Sequence, residues 1–262
     1  MKVLSIFAAM LSFFSQSTTQ QTTSIVQRDP QALAILNQAV SSSGGLTAMT
    51  AVQDFTGTGT ITYSWAGQAV PATVVVYEKG VNEFRMDATL SDGVRSLVID
   101  GIVGSLTSQN GQQTKLPFYS IMTSGSLTFP FPRIAATLTD SSTSVTYIGP
   151  VPWNNSQAVK LHVVPPVDPS LLIDSRLKGL GEYDLYFDPT SYRLLELGEE
   201  VWWGADLSQT YSHEILFSNY VTTGGLAVPF VINERFGGQQ TWSVSLSSVT
   251  FNSGLSDALF TP

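Results

Sequence analysis

The clearest alternation of apolar and polar residues along the chain lies between residues 83 and 101. Phe84, Met86, Ala88 and Leu90 fall on one face of an extended strand, and polar residues separate them. Alternation of apolar and polar residues with a period of two, sustained here over residues 83–90, is typical of a half-buried strand. A turn containing Asp-Gly and a second apolar run follow, which together indicate a hairpin. We therefore predict an antiparallel meander in which Arg85 lies on the outer face beside an acidic neighbour.

Similar patterns predict strands along most of the chain. A first series runs from Val52 to Lys115, and its short glycine-containing turns place successive strands side by side. Strands resume at 144–149 and 158–164, and a last series extends from Glu182 to Phe251. We expect about 11 to 13 strands in total, a number at which a sheet curls or closes.

An amphipathic helix is predicted before the first strand. Asp29 and Pro30 supply an N-cap and a first-turn proline. Leu33, Leu36 and Val40 follow at helical spacing, and a Gly-Gly pair then provides a left-handed stop.

The middle of the chain differs from the strand series on both sides of it. Residues 117–140 carry apolar side chains without a clean period of two, and they include Pro130 and Pro132. We predict one or two short helices here, lying over the sheet.

The first residues have the pattern of a secretory signal. Lys2 precedes an apolar run from Val3 to Phe14, and small residues follow it. That run is too short for a membrane span, which needs about 20 residues, so an uncleaved anchor is disfavoured. The expected organisation is a signal peptide at 1–19, a flexible segment at 20–28 and a single domain at 29–262.

Composition excludes several classes of partner. The 262 residues are 43% hydrophobic and 12% charged, with a formal net charge of −8 at pH 7. Without a basic run, binding to nucleic acid or to anionic lipid surfaces is not expected. The absence of cysteine rules out disulfides and thiol-linked lipid, so the core alone must stabilise an exported chain.

Candidate catalytic or metal-binding groups are sparse in the sequence. His162 and His213 both fall inside strand patterns, and a strand histidine without a partner motif is more often a surface or hydrogen-bonded residue. With no cysteine and no H-x-x-x-H pair, nothing indicates a zinc site. Nucleotide-binding glycine loops and the G-x-S-x-G motif are also absent. We predict no catalytic residue, no metal and no cofactor.

Three weaker patterns stay open as alternatives. Ser175 and Lys178 match S-x-x-K without the partner motifs of serine acyl-enzymes. Glu199 with Glu200, or the aspartates at 184 and 188, would form a glycosidase pair only at the required carboxylate separation. The five tryptophans would suit a sugar-stacking platform, although such residues belong more often to a core or a barrel mouth.

Five segments of the sequence form an ordered pattern: the predicted helix at 29–45, KGVNEFRMD at 79–87, LVIDG at 97–101, SNYVTTGGLAVPFVI at 218–232 and LSDALFTP at 255–262. Taken in this order, they resemble the LolA-like superfamily of periplasmic lipoprotein carriers. Each is weak alone, and their order across nearly the whole mature chain carries the resemblance. Family carriers often have an Arg-Pro pair whose arginine latches a helical lid. Lys79 and Gly80 stand at that point here, and lysine cannot reproduce the planar fork of donors.

The resemblance implies a fold class and a site. The expected fold is mainly β with a few α-helices: a curved antiparallel unclosed β-barrel, or half-barrel, of about 11 to 13 strands. An N-terminal helix and short helices would cover its concave face, above a hydrophobic cavity for acyl chains. We predict that the strands and the covering segment line this cavity with Val74, Val76, Phe84, Met86, Leu97, Ile99, Phe118, Ile121 and Met122.

The expected function is binding without catalysis. We predict an exported, soluble protein of the cell envelope, periplasmic or secreted, that binds a lipid acyl chain or a lipidated protein and contacts membrane proteins transiently. One alternative is an envelope interaction or sensor domain with a filled core. An enzyme acting on glycan or lipid is disfavoured because few polar groups converge.

Overall fold

A computed structural model describes residues 26–121, 128–172, 174–202 and 207–262. Within these ranges, 13 strands form one sheet: β1 (Asp54–Trp65), β2 (Gln68–Lys79), β3 (Glu83–Leu90), β4 (Gly93–Asp100), β5 (Val103–Thr107), β6 (Gln113–Leu116), β7 (Ser144–Trp153), β8 (Ser156–Val164), β9 (Tyr183–Phe187), β10 (Leu194–Val201), β11 (Tyr211–Thr223), β12 (Leu226–Phe236) and β13 (Gln239–Phe251). Three α-helices accompany them: α1 (Pro30–Ser42), α2 (Leu46–Thr50) and α3 (Phe131–Thr139). Short 3-10 turns occupy Phe118–Ser120, Pro169–Leu171, Ser175–Leu177 and Asp257–Phe260.

The sheet consists of two meanders joined by the first and last strands. Its order is β6-β5-β4-β3-β2-β1-β13-β12-β11-β10-β9-β8-β7, so β6 and β7 are the two edges. Strand β1 pairs with β13 from Phe55 opposite Phe251 to Tyr63 opposite Trp242. The register shifts beside Gly59, where a Cβ atom would lie 2.1 Å from the carbonyl oxygen of Ser245. Only glycine allows the two strands to approach this closely.

The sheet is a curved, unclosed half-barrel with helices on its concave face, as predicted. On β3, Phe84, Met86, Ala88 and Leu90 are buried, and the residues between them are partly or fully exposed. The inward residues of the strands and the buried faces of the helices form one main hydrophobic core. A sheet of this length curls because neighbouring strands twist relative to one another, and curling creates the concave surface.

Helix α1 begins and ends close to the predicted positions. The Asp29 carboxylate accepts a hydrogen bond from the backbone N–H of Gln31 at 2.8 Å, and Pro30 occupies the first turn. Ala32 and Leu36 of this helix are fully buried. The Gly44 that follows has φ +121°, a backbone conformation that L side chains rarely adopt.

The predicted short helices of the middle region are the turn at Phe118–Ser120 and helix α3. Phe129, just before α3, stacks on Phe55 of β1 with ring centroids 4.6 Å apart. It also contacts Phe131 edge to face at 5.0 Å. These aromatic contacts fix the covering segment, here defined as residues 117–121 and 128–139, to the inner surface of the sheet.

Arg85 lies on the convex face beside an acidic neighbour, as predicted. Its Nε donates to the Asp87 carboxylate at 2.8 Å, and its Nη1 donates to the carbonyl of Leu259 at 3.1 Å. Phe260 in the same C-terminal turn is fully buried. Arg85 therefore holds the C-terminal turn against the outside of the sheet.

The predicted signal peptide at 1–19, and residues 20–25 of the segment predicted to be flexible, lie outside the described residues. Residues 27 and 28 run beside the edge strand β7. The backbone N–H of Gln27 donates to the Ser144 hydroxyl at 3.0 Å, and Arg28 forms an isolated bridge with Val145. In the parts of the chain that the structure describes, no helix has the length and apolarity required to span a membrane.

Candidate ligand-binding cavity

A cavity of about 370 Å³ lies on the concave face of the half-barrel. Strands of both meanders line it, together with Ser120 and Ile121 of the covering segment. Most of the wall is apolar or aromatic: Tyr63, Trp65, Met86, Leu97, Ile99, Leu106, Leu116, Ile121, Val201, Phe236 and Trp242. Small-molecule sites range over roughly 300–1,000 Å³, so this volume suits a single slender ligand.

Four of the predicted cavity residues lie on this wall. They are Met86, Leu97, Ile99 and Ile121. Contact between these four residues and a ligand is still a prediction.

The other predicted cavity residues lie elsewhere. Val74, Val76 and Phe84 are fully or almost fully buried in the main core, and none of them reaches the cavity. Phe118 packs in a smaller cluster around Leu177, Leu180 and Trp202. Met122 lies outside the described residues. Alternation identifies the inward face of a strand but not the parts of that face which the covering segment seals.

An ionic triad of two buried residues and one partly buried residue lies at one side of the cavity. His213 on β11 contacts Glu199 through Nδ1 at 2.6 Å and Glu234 through Nε2 at 3.0 Å. Strand register creates the triad, because Glu199 lies directly opposite His213 and Glu234 lies opposite Ile215, two residues along β11. The Thr241 hydroxyl also bonds the Glu234 carboxylate. The two glutamates, spaced 35 positions apart in the sequence, share one imidazole.

The triad keeps His213 positively charged. Burial lowers the pKa of His213, but its hydrogen bonds to Glu199 and Glu234 outweigh that effect and raise the pKa to about 10. Both ring N–H groups of the resulting imidazolium donate to carboxylates. A general base needs a free ring nitrogen, so this arrangement holds the histidine in a structural role.

Other candidate chemistry is dispersed over the molecule. Glu199 points to the concave face, whereas Glu200 is exposed on the other face, so the two do not form a carboxylate pair. Asp184 pairs with Lys160 at 2.7 Å, and Asp188 accepts hydrogen bonds within its own turn. Ser175 and Lys178 are both exposed at a short turn.

The tryptophans do not form a platform in the described chain. Trp65 and Trp242 line the cavity, whereas Trp202 belongs to the smaller cluster. Trp153 donates its indole N–H to Glu196 at 2.6 Å. Trp203 lies outside the described residues.

Arg95 brings a second charged group to the cavity wall. Its guanidinium carbon lies 5.6 Å from the ring centroid of Tyr63 and 5.7 Å from that of Trp65. The two rings stack on each other at 4.9 Å. Burial raises the pKa of Tyr63 to about 12, so this phenol keeps its proton at neutral pH. Contacts with aromatic faces hold a guanidinium while leaving its edge available to a further acceptor.

Two polar contacts hold the covering segment in place. Glu78 on β2 accepts hydrogen bonds through Oε1 from the backbone N–H groups of Thr128 and Phe129, each at 2.9 Å, and from the Thr128 hydroxyl. Glu78 is almost fully buried. Its other oxygen, Oε2, has no hydrogen-bond partner among the described residues. Burial outweighs these hydrogen bonds and raises the pKa of Glu78 to about 8.

Arg28 provides the second contact, at the other end of α3. Its guanidinium donates to the backbone carbonyls of Leu138 at 2.6 Å and Thr143 at 3.0 Å, and to those of Thr137 and Asp140. The last carbonyls of a helix lack partners within the helix, and a cation there is favourable. Arg28 therefore caps α3 and ties it to the N-terminal segment.

Lys79 and Gly80 take no part in holding the covering segment. The ammonium of Lys79 pairs with Asp257 of the C-terminal turn. Glu78, the preceding residue, points inward and makes the contact with the covering segment instead. Sequence reasoning missed Glu78, although its inward position after Val74 and Val76 on the same strand was a readable signal.

No protein-family model matches the sequence, and no curated protein matches it in a sequence search. Solved structures do match the fold. A LolA superfamily protein from Nitrosomonas europaea has a TM-score of 0.52 and 14% sequence identity, covering 88% of this chain and 97% of that one. This chain therefore has the same fold as that protein. A second solved structure, named as an outer membrane lipoprotein-sorting protein domain from Vibrio parahaemolyticus, has a TM-score of 0.53 and 12% sequence identity. The match covers 88% of this chain and 96% of that one.

The LolA-like fold agrees with the family that the ordered sequence segments resemble. At these identities the likeness concerns the fold alone, and function has to be argued from the site. The site of this chain combines an apolar cavity, a histidine with both nitrogens occupied and one arginine held on two aromatic rings.

Proposed function

We propose that this LolA-like protein is an exported, non-catalytic protein of the cell envelope that binds one acyl chain, from a lipid or a lipidated protein, in the cavity. The observation that carries the proposal is the 370 Å³ cavity with its predominantly apolar wall. Transfer of each methylene group from water to such a wall contributes about 0.8 kcal/mol. Burial of several methylene groups of an acyl chain therefore supplies binding free energy without a chemical reaction.

Export and location are parts of the same proposal. The charged start and apolar run of residues 1–19 support a cleaved signal, and hence a periplasmic or secreted location. A carrier of acyl chains must receive and release its cargo at membranes, so transient contacts with membrane proteins are expected. The acidic net charge disfavours nucleic acid as a partner.

A non-catalytic role is supported by the arrangement of polar groups at the cavity. His213 has both ring nitrogens bonded to carboxylates, so it lacks the free nitrogen of a general base. Hydrolysis of esters or glycosides by the pure protein would contradict this part of the proposal.

Filling the cavity should abolish ligand binding. We expect Leu97→Trp to weaken uptake of a fluorescent fatty acid at least about tenfold, because losing room for two methylene groups already costs that much. Val94→Trp is the matched control, since Val94 lies on the opposite face of the same strand and is 46% exposed. Fluorescence titration of both variants measures the effect, and circular dichroism checks that they fold.

The native cargo can be sought directly. Mature protein purified from the cell envelope is extracted with solvent, and the lipid is weighed against protein. A stoichiometric acyl lipid supports the proposal. No extracted lipid, together with no uptake of the fluorescent fatty acid, would overturn it and favour an interaction domain with a filled core.

A further inference from the structure

We propose that the cavity selects acyl chains that carry an anionic head group, a carboxylate or a phosphate, and that Arg95 binds this oxyanion. The inference rests on the proposed function and adds a polar anchor to it. Nothing in the sequence reasoning singled out Arg95, because it stands among small and apolar residues in a short hairpin strand.

Arg95 lies at the edge of the apolar wall. On β4 it shares the inward face with Leu97 and Ile99, and both of these residues also line the cavity. An acyl chain lying against those two side chains would therefore end beside the guanidinium. The cavity offers the combination expected of a ligand site, an apolar wall with a few polar groups that fix orientation.

The guanidinium of Arg95 is held in place but not neutralised. Arg85, Arg176 and Arg235 each form an ion pair with a carboxylate. Arg95 forms none with any described residue. It lies over the faces of Tyr63 and Trp65 and also hydrogen-bonds the Tyr63 side chain. A guanidinium has five N–H donors in a planar fork, so donors remain for the two oxygens of a carboxylate or phosphate. Placing this cation on a cavity wall without a carboxylate partner among the described residues favours a ligand that supplies the negative charge.

The carboxylate that lines the cavity already has partners. Glu234 bonds His213 and the Thr241 hydroxyl. Glu199, which does not line the cavity, bonds the other nitrogen of His213 through Oε1, and its buried Oε2 has no hydrogen-bond partner among the described residues. Since both carboxylates share the imidazolium, the unpaired cation at the wall favours an anionic head group over an ammonium one.

The test compares ligands of one chain length that differ only in the head group. Oleate, oleyl phosphate, oleyl alcohol and oleylamine displace a neutral fluorescent dye from the mature protein at neutral pH, below their aggregation concentrations. We expect oleate or oleyl phosphate to bind about tenfold more tightly than the alcohol, as for a charge-assisted hydrogen-bonded pair. The two anions distinguish a carboxylate from a phosphate head group.

Substitution of Arg95 identifies the anchor. Arg95→Met should remove the preference for the anions over oleyl alcohol, and Arg95→Lys should keep part of that preference. Arg235→Met is the matched control, because Arg235 pairs with Glu214 and does not line the cavity. It should leave all four affinities unchanged.

The outcomes separate the two proposals. If no ligand binds, the proposed function fails and the head-group proposal fails with it. If the alcohol binds as tightly as the anions, or oleylamine binds more tightly than either, the acyl-binding function stands and the role of Arg95 is overturned. Retention of anion preference by Arg95→Met would also overturn it.

Discussion

Replacing His213 by leucine is expected to lower the free energy of unfolding by about 3–5 kcal/mol, the cost of leaving buried charges without their partner. His213 is the shared partner of Glu199 and Glu234, and the Glu199 side chain is almost completely buried. Its removal leaves two carboxylates close together in an apolar wall. Urea denaturation followed by tryptophan fluorescence at neutral pH measures the change.

Two further variants show whether the loss comes from unpaired charge or from lost volume. The triple variant Glu199→Leu, His213→Leu, Glu234→Leu removes all three charges and should recover most of the stability, as apolar replacements of buried ion groups often do. His162→Leu is the control, because His162 is a partly exposed strand histidine that also contacts two carboxylates. We expect it to cost less than about 1 kcal/mol. Equal losses in both single variants would contradict the account of the triad.

The second large effect is a fall in stability as the pH rises through neutrality. The pKa of Glu78 is raised by burial from 4.5 to about 8, so the folded protein binds this proton more tightly than the unfolded chain does. The stability linked to it is fully present below about pH 4.5 and is lost as the pH rises toward about 8. The decline should approach about 1.4 kcal/mol per pH unit where only the folded state holds the proton.

Glu78→Gln is expected to flatten this part of the stability curve. The glutamine Oε1 can accept the same hydrogen bonds from Thr128 and Phe129, and its amide group does not titrate. The variant should match the parent within about 1 kcal/mol at mildly acidic pH and exceed it in stability at mildly alkaline pH. Glu200→Gln, at an exposed position of β10, is the control and should follow the parent curve. Parallel curves for Glu78→Gln and the parent would refute the assignment.

His213 adds a second decline at higher pH. Its folded-state pKa is raised from 6.5 to about 10, so its contribution is fully present below pH 6.5 and is lost as the pH rises through about 10. This decline should persist in Glu78→Gln, because the two groups lie on different strands and share no hydrogen bond. The two declines overlap between pH 6.5 and about 8, and the Glu78→Gln variant separates them because only the His213 decline is left in it.

Local sequence patterns predicted the architecture because strands and turns are encoded by neighbouring residues. The alternation around Phe84 and Met86 identified the inward face of β3, and the cap at Asp29 located the start of α1. The position of Arg85 on the outer face follows from the same alternation. The order of the segments then suggested the fold that the solved structures share.

The site was less predictable because strand register and the covering segment create it. Glu199, His213 and Glu234 come together only after β10, β11 and β12 align, and no local pattern reports that alignment. Val74 and Val76 have the same inward pattern as the cavity residues, yet they are sealed in the core. The depth of a cavity depends on which inward positions the covering segment fills, and those contacts link residues distant in sequence.

The pairing of β1 with β13 also bears on how the chain is made. The second partner of β1 is β13, which is synthesised much later, since Phe251 follows Phe55 by 196 positions. Long-range pairing of this kind delays completion of a fold. During synthesis the growing polypeptide can form its early hairpins but cannot join its two halves, so it stays incompletely folded, and within reach of chaperones, until β13 has been made.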